Sequence, residues 1–354
     1  MSKMTNKTII FHYVLNFREN DDILNNVINR SETGKERNGS EMEVIRKEYS
    51  LPSSSGVADL FVRSWQPDDG VKGVFQIIHG MAEHGERYEK LAYWLCEKGF
   101  AVVADDHVGH GKSVNSDEDL GYFGDKGGWN AFVEDERAVT ELMKKEFPDL
   151  PIIIYGHSMG SFICREYIRR YGNDSVVKGA IICGTSGKNP AAAVAIGLAG
   201  AVAKAKGSRH RSEFINNLAF GTYNKQIPNP RTPFDWLTTD EAKVDEYIAD
   251  DYCGFLFTAA GFRDLFTILN TVSGRSWYSG INKDLPILLI AGREDPVGAY
   301  SKGVHEVFNG LKNVGVKDVV IKIYPGMRHE IHNENGYEKV FEDIASWSLS
   351  KIEK

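Results

Sequence analysis

The sequence predicts an α/β fold: a mainly parallel, doubly wound sheet of eight strands, with a helical cap inserted after the sixth. Three observations carry that prediction. Short apolar runs bounded by Gly or Pro alternate with amphipathic stretches of helical length, as parallel strands covered by helices do. The alternation stops between about Ser186 and Asp284 and then resumes. At 152–162 the chain reads IIIYGHSMGSF, a serine fenced by Gly156 and Gly160 where a strand-like run meets a helix-like one.

The strand candidates in order are 43–51, 58–65, 73–80, 99–106, 151–156, 178–184, 286–292 and 318–326. Helical periodicity marks 86–99, 128–148, 159–172 and 337–352 between or after them. Such alternation implies right-handed crossovers onto a parallel sheet. The interruption holds a small-residue helix, AAAVAIGLAGAVAKAK (191–206), an Asn- and Pro-rich loop, YNKQIPNPRTPFDW, and two further helical patterns, EAKVDEYIAD and FTAAGFRDLFTILNTV. Nearly a hundred residues of helix and loop between two strands are expected to cover the C-terminal edge of the sheet, where open α/β sheets bind ligands. The expected organisation is a tail over 1–41, a core over 42–185, a cap over 186–284 and the rest of the core over 285–354.

Composition narrows the class. The 354 residues are 42% hydrophobic, ample for a large core, and the net charge of −7 argues against a general nucleic-acid binder. Cys96, Cys164, Cys183 and Cys253 lie far apart with no C-x-x-C pair, so reduced thiols and a cytoplasmic location are expected. The apolar run from Ile9 to Phe17 is too short to span a membrane, and no small-residue cleavage site follows it.

The G-x-S-x-G spacing permits a sharp strand-to-helix turn that lifts Ser158 into the open. A serine hydroxyl needs a base, and the base a carboxylate. Both follow Ser158, each after its own late strand: Asp295 in REDP and His329 in MRHEIH. Asp-Pro starts a turn, so Asp295 is preferred to Glu294, and His332 is the rival to His329. Two backbone N–H groups must hold the developing oxyanion. Met159, the residue after the serine, supplies one, and Met81, after the flexible His79-Gly80, supplies the other. Each feature alone is weak; their joint occurrence in order at strand ends is not. ADDHVGHGKS (104–113) ends like a phosphate loop, but Asp106 stands where the first glycine is required, and His107 with His110 lacks a third ligand. It reads as a structural loop flanking the site.

HGMAEHGERY, ADDHVGHGKS, GHSMGS and YPGMRHEIHNE together resemble the monoglyceride lipase and lysophospholipase branch of the α/β-hydrolases, also described as serine-aminopeptidase-like. The likeness runs from Met42 to the C-terminus. It implies the α/β-hydrolase fold, a Ser158–His329–Asp295 triad, an oxyanion hole from Met81 and Met159, and neither cofactor nor metal. Ser161 stands where that family often has a third glycine, and His332 where it often has an apolar residue. The expected activity is hydrolysis of a mono-acyl lipid ester, a monoacylglycerol or a lysophospholipid. The alternatives are a short-chain or aromatic esterase, a serine aminopeptidase, and an inactive ligand receptor. Helix 191–206 is expected to offer either a surface for the acyl chain or a packing face. With Lys204, Lys206, Arg209 and Arg211 just beyond, it forms a candidate surface for transient membrane contact.

Overall fold

The computed structural model describes residues 43–353; the tail expected over 1–41 lies outside them. The core begins with β1 (Val44–Pro52), β2 (Asp59–Pro67), β3 (Gly73–Ile78), α1 (Glu89–Glu97), β4 (Phe100–Asp106) and α2 (Gly128–Glu146). It continues through β5 (Ile152–His157), α3 (Met159–Tyr171) and β6 (Val177–Cys183). Helices α4 (Ala192–Lys206), α5 (Glu213–Phe220), α6 (Glu241–Ala249), α7 (Ala259–Ser273) and α8 (Arg275–Ser279) stand between β6 and β7 (Ile287–Gly292). The chain then closes with α9 (Lys302–Asn313), β8 (Val319–Tyr324) and α10 (Tyr337–Ile352).

The eight strands lie in the order β1-β2-β4-β3-β5-β6-β7-β8. β1 and β2 pair antiparallel, as do β2 and β4; every pair from β4 onward is parallel. The C-terminal ends of β3, β5, β6, β7 and β8 therefore open on one edge.

The continuous apolar runs are explained by a core on each face. Ile78, Ile152, Ile154, Ile287 and Leu289 pack with Phe132 of α2, Ile163 and Tyr167 of α3 and Val307 of α9. Their alternate neighbours Phe75, Ile77, Ile153, Tyr155, Leu288 and Ile290 pack with Leu91 and Leu95 of α1 and with Phe341 and Ile344 of α10. Successive strand residues point to opposite faces, so both must be apolar where both faces are covered. Each such side chain fully buried contributes about 1.5–3 kcal/mol.

Three helices, α5, the short α8 and α9, lie where the sequence predicts no element. α5 is N-capped by Ser212, whose hydroxyl accepts the Ile215 N–H, and has Glu213 in its first turn. α9 buries Val304, Val307 and Leu311 at helical spacing. The 104–113 loop is tied down by Asp106: its carboxylate accepts two bonds from Arg63, at 2.5 and 3.0 Å, and the N–H groups of Gly85 and Lys112, each at 2.9 Å.

Candidate active site

At the end of β5 the chain turns into α3 within one residue. Ser158 sits at φ 54°, ψ −119°, a region that costs a non-glycine residue about 1–3 kcal/mol. The turn is over-determined from several sides. Ser158 N–H donates to Cys183 O at 3.0 Å, and the Ser161 hydroxyl donates to Ser158 O at 2.5 Å. Both glycines are required by close approach. A Cβ on Gly156 would overlap the Gly160 carbonyl, and one on Gly160 would overlap the Ile78 carbonyl of β3. Ser161, where a third glycine is usual, thus adds a hydrogen bond to the elbow.

β7 and β8 bring the acid and the imidazole to the same edge. Asp295 Oδ1 lies 3.0 Å from His329 Nδ1, both residues being buried, and also accepts the Val297 N–H at 2.8 Å. Burial alone would lower the His329 pKa; the Asp295 carboxylate outweighs it and holds the imidazole above its ordinary value. Neither ring nitrogen of His329 completes a hydrogen bond among the described residues: Nδ1 stands at ion-pair distance from Asp295, and the contact of Nε2 with Ser158 is not closed here. Such bonds are commonly long before substrate binds. Glu294 is exposed. His332 is buried, stacked on Tyr88 at 4.6 Å between ring centroids, and does not line the cavity.

Met81 and Met159 both line the cavity beside Ser158. Met159 opens α3, where a backbone N–H has no partner within the helix. The expected flexibility of His79-Gly80 is not found. Gly80 N–H donates to Glu83 Oε1 at 2.6 Å, and a Cβ on Gly80 would lie 3.1 Å from that of Ser158. The His79 ring stacks on His107 at 3.8 Å. Close approach, rather than freedom, explains this glycine. Glu83 also accepts the Tyr88 hydroxyl at 2.8 Å and pairs with Arg87, whose guanidinium makes two further bonds to Glu330, at 2.8 and 2.7 Å. Burial opposes both negative charges, and Arg87 overcomes it, so Glu83 lies well below the carboxylate range and Glu330 at about 2. The sequence reading assigns no role to this trio. Its signal was the Glu83–Arg87 spacing of four residues, the helical ion-pair interval.

The cavity above Ser158 has a volume of about 340 Å³. Its apolar wall comes from Phe220 of α5, Leu265, Phe266 and Leu269 of α7, and Trp236 with Leu237 between α5 and α6. No residue of α4 lines it; α4 buries Ala192 and Ala199 and packs on α7 instead. Of the two roles expected for 191–206, the packing face is the one found: the small side chains of α4 are used for close helix packing, and the apolar wall comes from α5 and α7. The basic edge is partly engaged within the fold. Arg209 pairs with Asp119 at 2.6 Å, and Arg211 donates to the carbonyls of Leu256, Leu120 and Glu118, leaving only Lys204 and Lys206 as exposed, uncommitted charges of the four.

Among the described residues, two groups of side chains bring metal-ligating atoms together: His84, Asp250 and Cys253, and the buried Asp105, His107 and Glu136. Their closest atoms, His84 Nε2 to Asp250 Oδ2 at 2.9 Å and His107 Nδ1 to Asp105 Oδ2 at 3.0 Å, are at hydrogen-bond distance. Two ligands of one tetrahedral ion with bonds of about 2.0–2.1 Å stand farther apart, at roughly 3.3 Å. In each group the closest pair is hydrogen-bonded as it stands.

Comparison with known proteins gives a consistent picture. The family described as Serine aminopeptidase, S33 matches residues 69–336. A monoacylglycerol lipase of Mycolicibacterium smegmatis is 30% identical over 87% of this chain and 98% of its own length. Human monoglyceride lipase is 30% identical over 81% of this chain and 86% of its own. Among solved structures, a thermostable carboxyl esterase from Bacillus coagulans, in complex with glycerol, superposes with a TM-score of 0.82 at 33% identity, over 87% of this chain and 99% of that one.

Proposed function

Because the chain belongs to the Serine aminopeptidase, S33 family and is a hydrolase of the lipase and esterase kind with the α/β-hydrolase fold, we propose that it cleaves a mono-acyl lipid ester through an acyl-enzyme on Ser158. The observation that carries this reading is the serine on its strained elbow, in an apolar cavity shared with His329, whose Nδ1 faces Asp295 at 3.0 Å. Ser158 Oγ attacks the ester carbonyl while His329 Nε2 takes its proton. Asp295 fixes the tautomer and stabilises the imidazolium. The N–H groups of Met81 and Met159 receive the oxyanion. Collapse expels the alcohol, which takes the proton back from His329. Water, activated by the same imidazole, then releases the fatty acid and restores Ser158.

A neutral head group fits the cavity better than a phosphate, since its lining contains no Lys or Arg. This favours a monoacylglycerol over a lysophospholipid. An aminopeptidase would need an unpaired acid for the free amine, whereas the lining acids Glu83 and Glu330 are both engaged by Arg87. The likeness to a carboxyl esterase supports a second reading, a short-chain esterase on the same residues. An inactive receptor is disfavoured because all three triad side chains are present. Residues 186–284 act as the cap in this reading. Exposed Val194, Phe214 and Leu218 on α4 and α5 support transient contact with a lipid surface.

The test is a turnover panel of wild type beside Ser158→Ala on a long-chain monoacylglycerol, a lysophospholipid, short and aromatic esters, and an aminoacyl amide. The expected result is preference for the monoacylglycerol and silence of the variant. Preference for short or aromatic esters would remove the lipid substrate and keep the triad; turnover surviving in Ser158→Ala would remove the mechanism.

A further inference from the structure

The loop after β8 that carries His329 is held from outside, by a segment of the inserted helices' connecting loop almost a hundred residues earlier in the chain. The Arg328 guanidinium donates to the carbonyls of Asp235 and Thr238, at 2.6 and 3.0 Å. His329 N–H points to Trp236 O at 3.4 Å, and Glu330 N–H to Leu237 O at 2.6 Å. The Thr238 hydroxyl donates to Asn333 O at 3.1 Å. At the end of this seam stands Glu334, 2% exposed. One of its oxygens accepts the Arg328 N–H at 2.7 Å and the Thr239 N–H at 3.0 Å, and the other accepts the Thr239 hydroxyl.

Segment 235–239 is also rigid at its start. The Asp235 carboxylate accepts the N–H groups of Arg231 and Thr232, at 2.5 and 3.2 Å, and the Thr232 hydroxyl at 2.5 Å. The Trp236 indole lies 5.1 Å from the His329 imidazole and closes one side of it. Glu334 itself does not line the cavity.

We propose that Glu334 is a positioning residue for His329: it locks the loop carrying the imidazole to the prefolded segment 235–239, so that the ring keeps its alignment between Asp295 and Ser158. The inference rests on the reading of His329 as the base. Removing a buried carboxylate whose three donors come from both sides of the seam leaves the Arg328 N–H and both Thr239 donors unpaired and loosens the 328–334 side, while the Asp235 turn still holds Trp236 and Leu237. Proton transfer is the step that suffers, because a misplacement of about 1 Å costs roughly 100-fold in rate while substrate contacts stay intact.

The experiment measures kcat, KM and the pH profile on a long-chain monoacylglycerol and a short-chain ester for wild type, Glu334→Ala, Glu334→Gln, Thr239→Val and His329→Ala. Glu334→Ala is expected to lose about 10- to 100-fold in kcat, with KM within about twofold, and to show its acid limb at lower pH as the imidazole leaves Asp295. Glu334→Gln keeps an acceptor oxygen for the two N–H groups and should recover most of the rate. A folded Glu334→Ala enzyme with kcat within about twofold of wild type would overturn the proposal. Should Glu334→Ala fail to fold, Thr239→Val decides: a kcat loss at unchanged KM supports the proposal, and wild-type kinetics overturns it. Wild-type turnover in His329→Ala would overturn the assignment of the base and this inference with it. A dead His329→Ala beside an unimpaired Glu334→Ala would overturn the positioning role alone.

Discussion

Ser158 is held in a left-handed backbone conformation by neighbours that leave no room for side chains at Gly156 and Gly160. Gly160→Ala would drive a methyl group into the Ile78 carbonyl, so α3 would have to lift off β3. We expect a loss of roughly 1–3 kcal/mol or more in denaturant unfolding, together with loss of esterase turnover. His329 makes a second prediction at this scale. In the proposed mechanism its neutral form is the base, so activity falls as pH drops through its pKa, and the Asp295 carboxylate raises that pKa against burial. The acid limb of kcat/KM should therefore lie above the ordinary histidine value of about 6.5. In Asp295→Asn the raising influence is gone and burial remains, so the limb should move to lower pH while kcat falls by about 10⁴. A pH–rate profile of both enzymes checks the sign. Ser158, Asp295, His329, Met81 and Met159, which the structure gathers at one edge, were legible as candidates because each follows a strand. The Glu83–Arg87–Glu330 trio was not, since only the Glu83–Arg87 pair is local and Glu330 joins it through tertiary packing.

Elements buried on both faces announced themselves by continuous apolar runs, and β3, β5, β6 and β7 lie within two residues of their expected ends. The inserted helices were harder, because composition reveals a helix but not the face it buries. AAVAIGLAGAVAKAK is apolar all round, and only packing against α7 decides that it builds a scaffold and leaves the cavity wall to α5 and α7. The charges in the last turn of α4 and just after it divide in the same way. Arg211→Ala would leave the carbonyls of Leu256, Leu120 and Glu118 without their donor, and a loss of about 1–3 kcal/mol is expected by thermal unfolding. Lys204→Glu with Lys206→Glu should leave the melting temperature unchanged and weaken binding to anionic vesicles, if α4 and α5 face a lipid surface. Unchanged vesicle binding would remove that contact.

For the molecule as a whole, the parallel order β4-β3-β5-β6-β7-β8 gathers six strand ends on one edge, and five of them each contribute one part of the candidate site. Met81 follows β3, Ser158 and Met159 follow β5, Asp295 follows β7 and His329 follows β8, while the helices after β6 supply the apolar wall. Alternating strands and helices made that arrangement readable in advance, because parallel strands with right-handed crossovers leave little choice of edge. The antiparallel β1 and β2 stand far from the site and extend the sheet. The seam between 235–239 and 328–334 was unreadable, since backbone hydrogen bonds between distant loops leave no pattern in side-chain type. The account turns on Ser158 being the nucleophile, and the most direct measurement is intact-mass and peptide-map analysis after treatment with a fluorophosphonate. It predicts one adduct per chain, on Ser158, absent from Ser158→Ala and formed much more slowly in His329→Ala. An unlabelled wild-type protein, or an adduct on another residue, would contradict it.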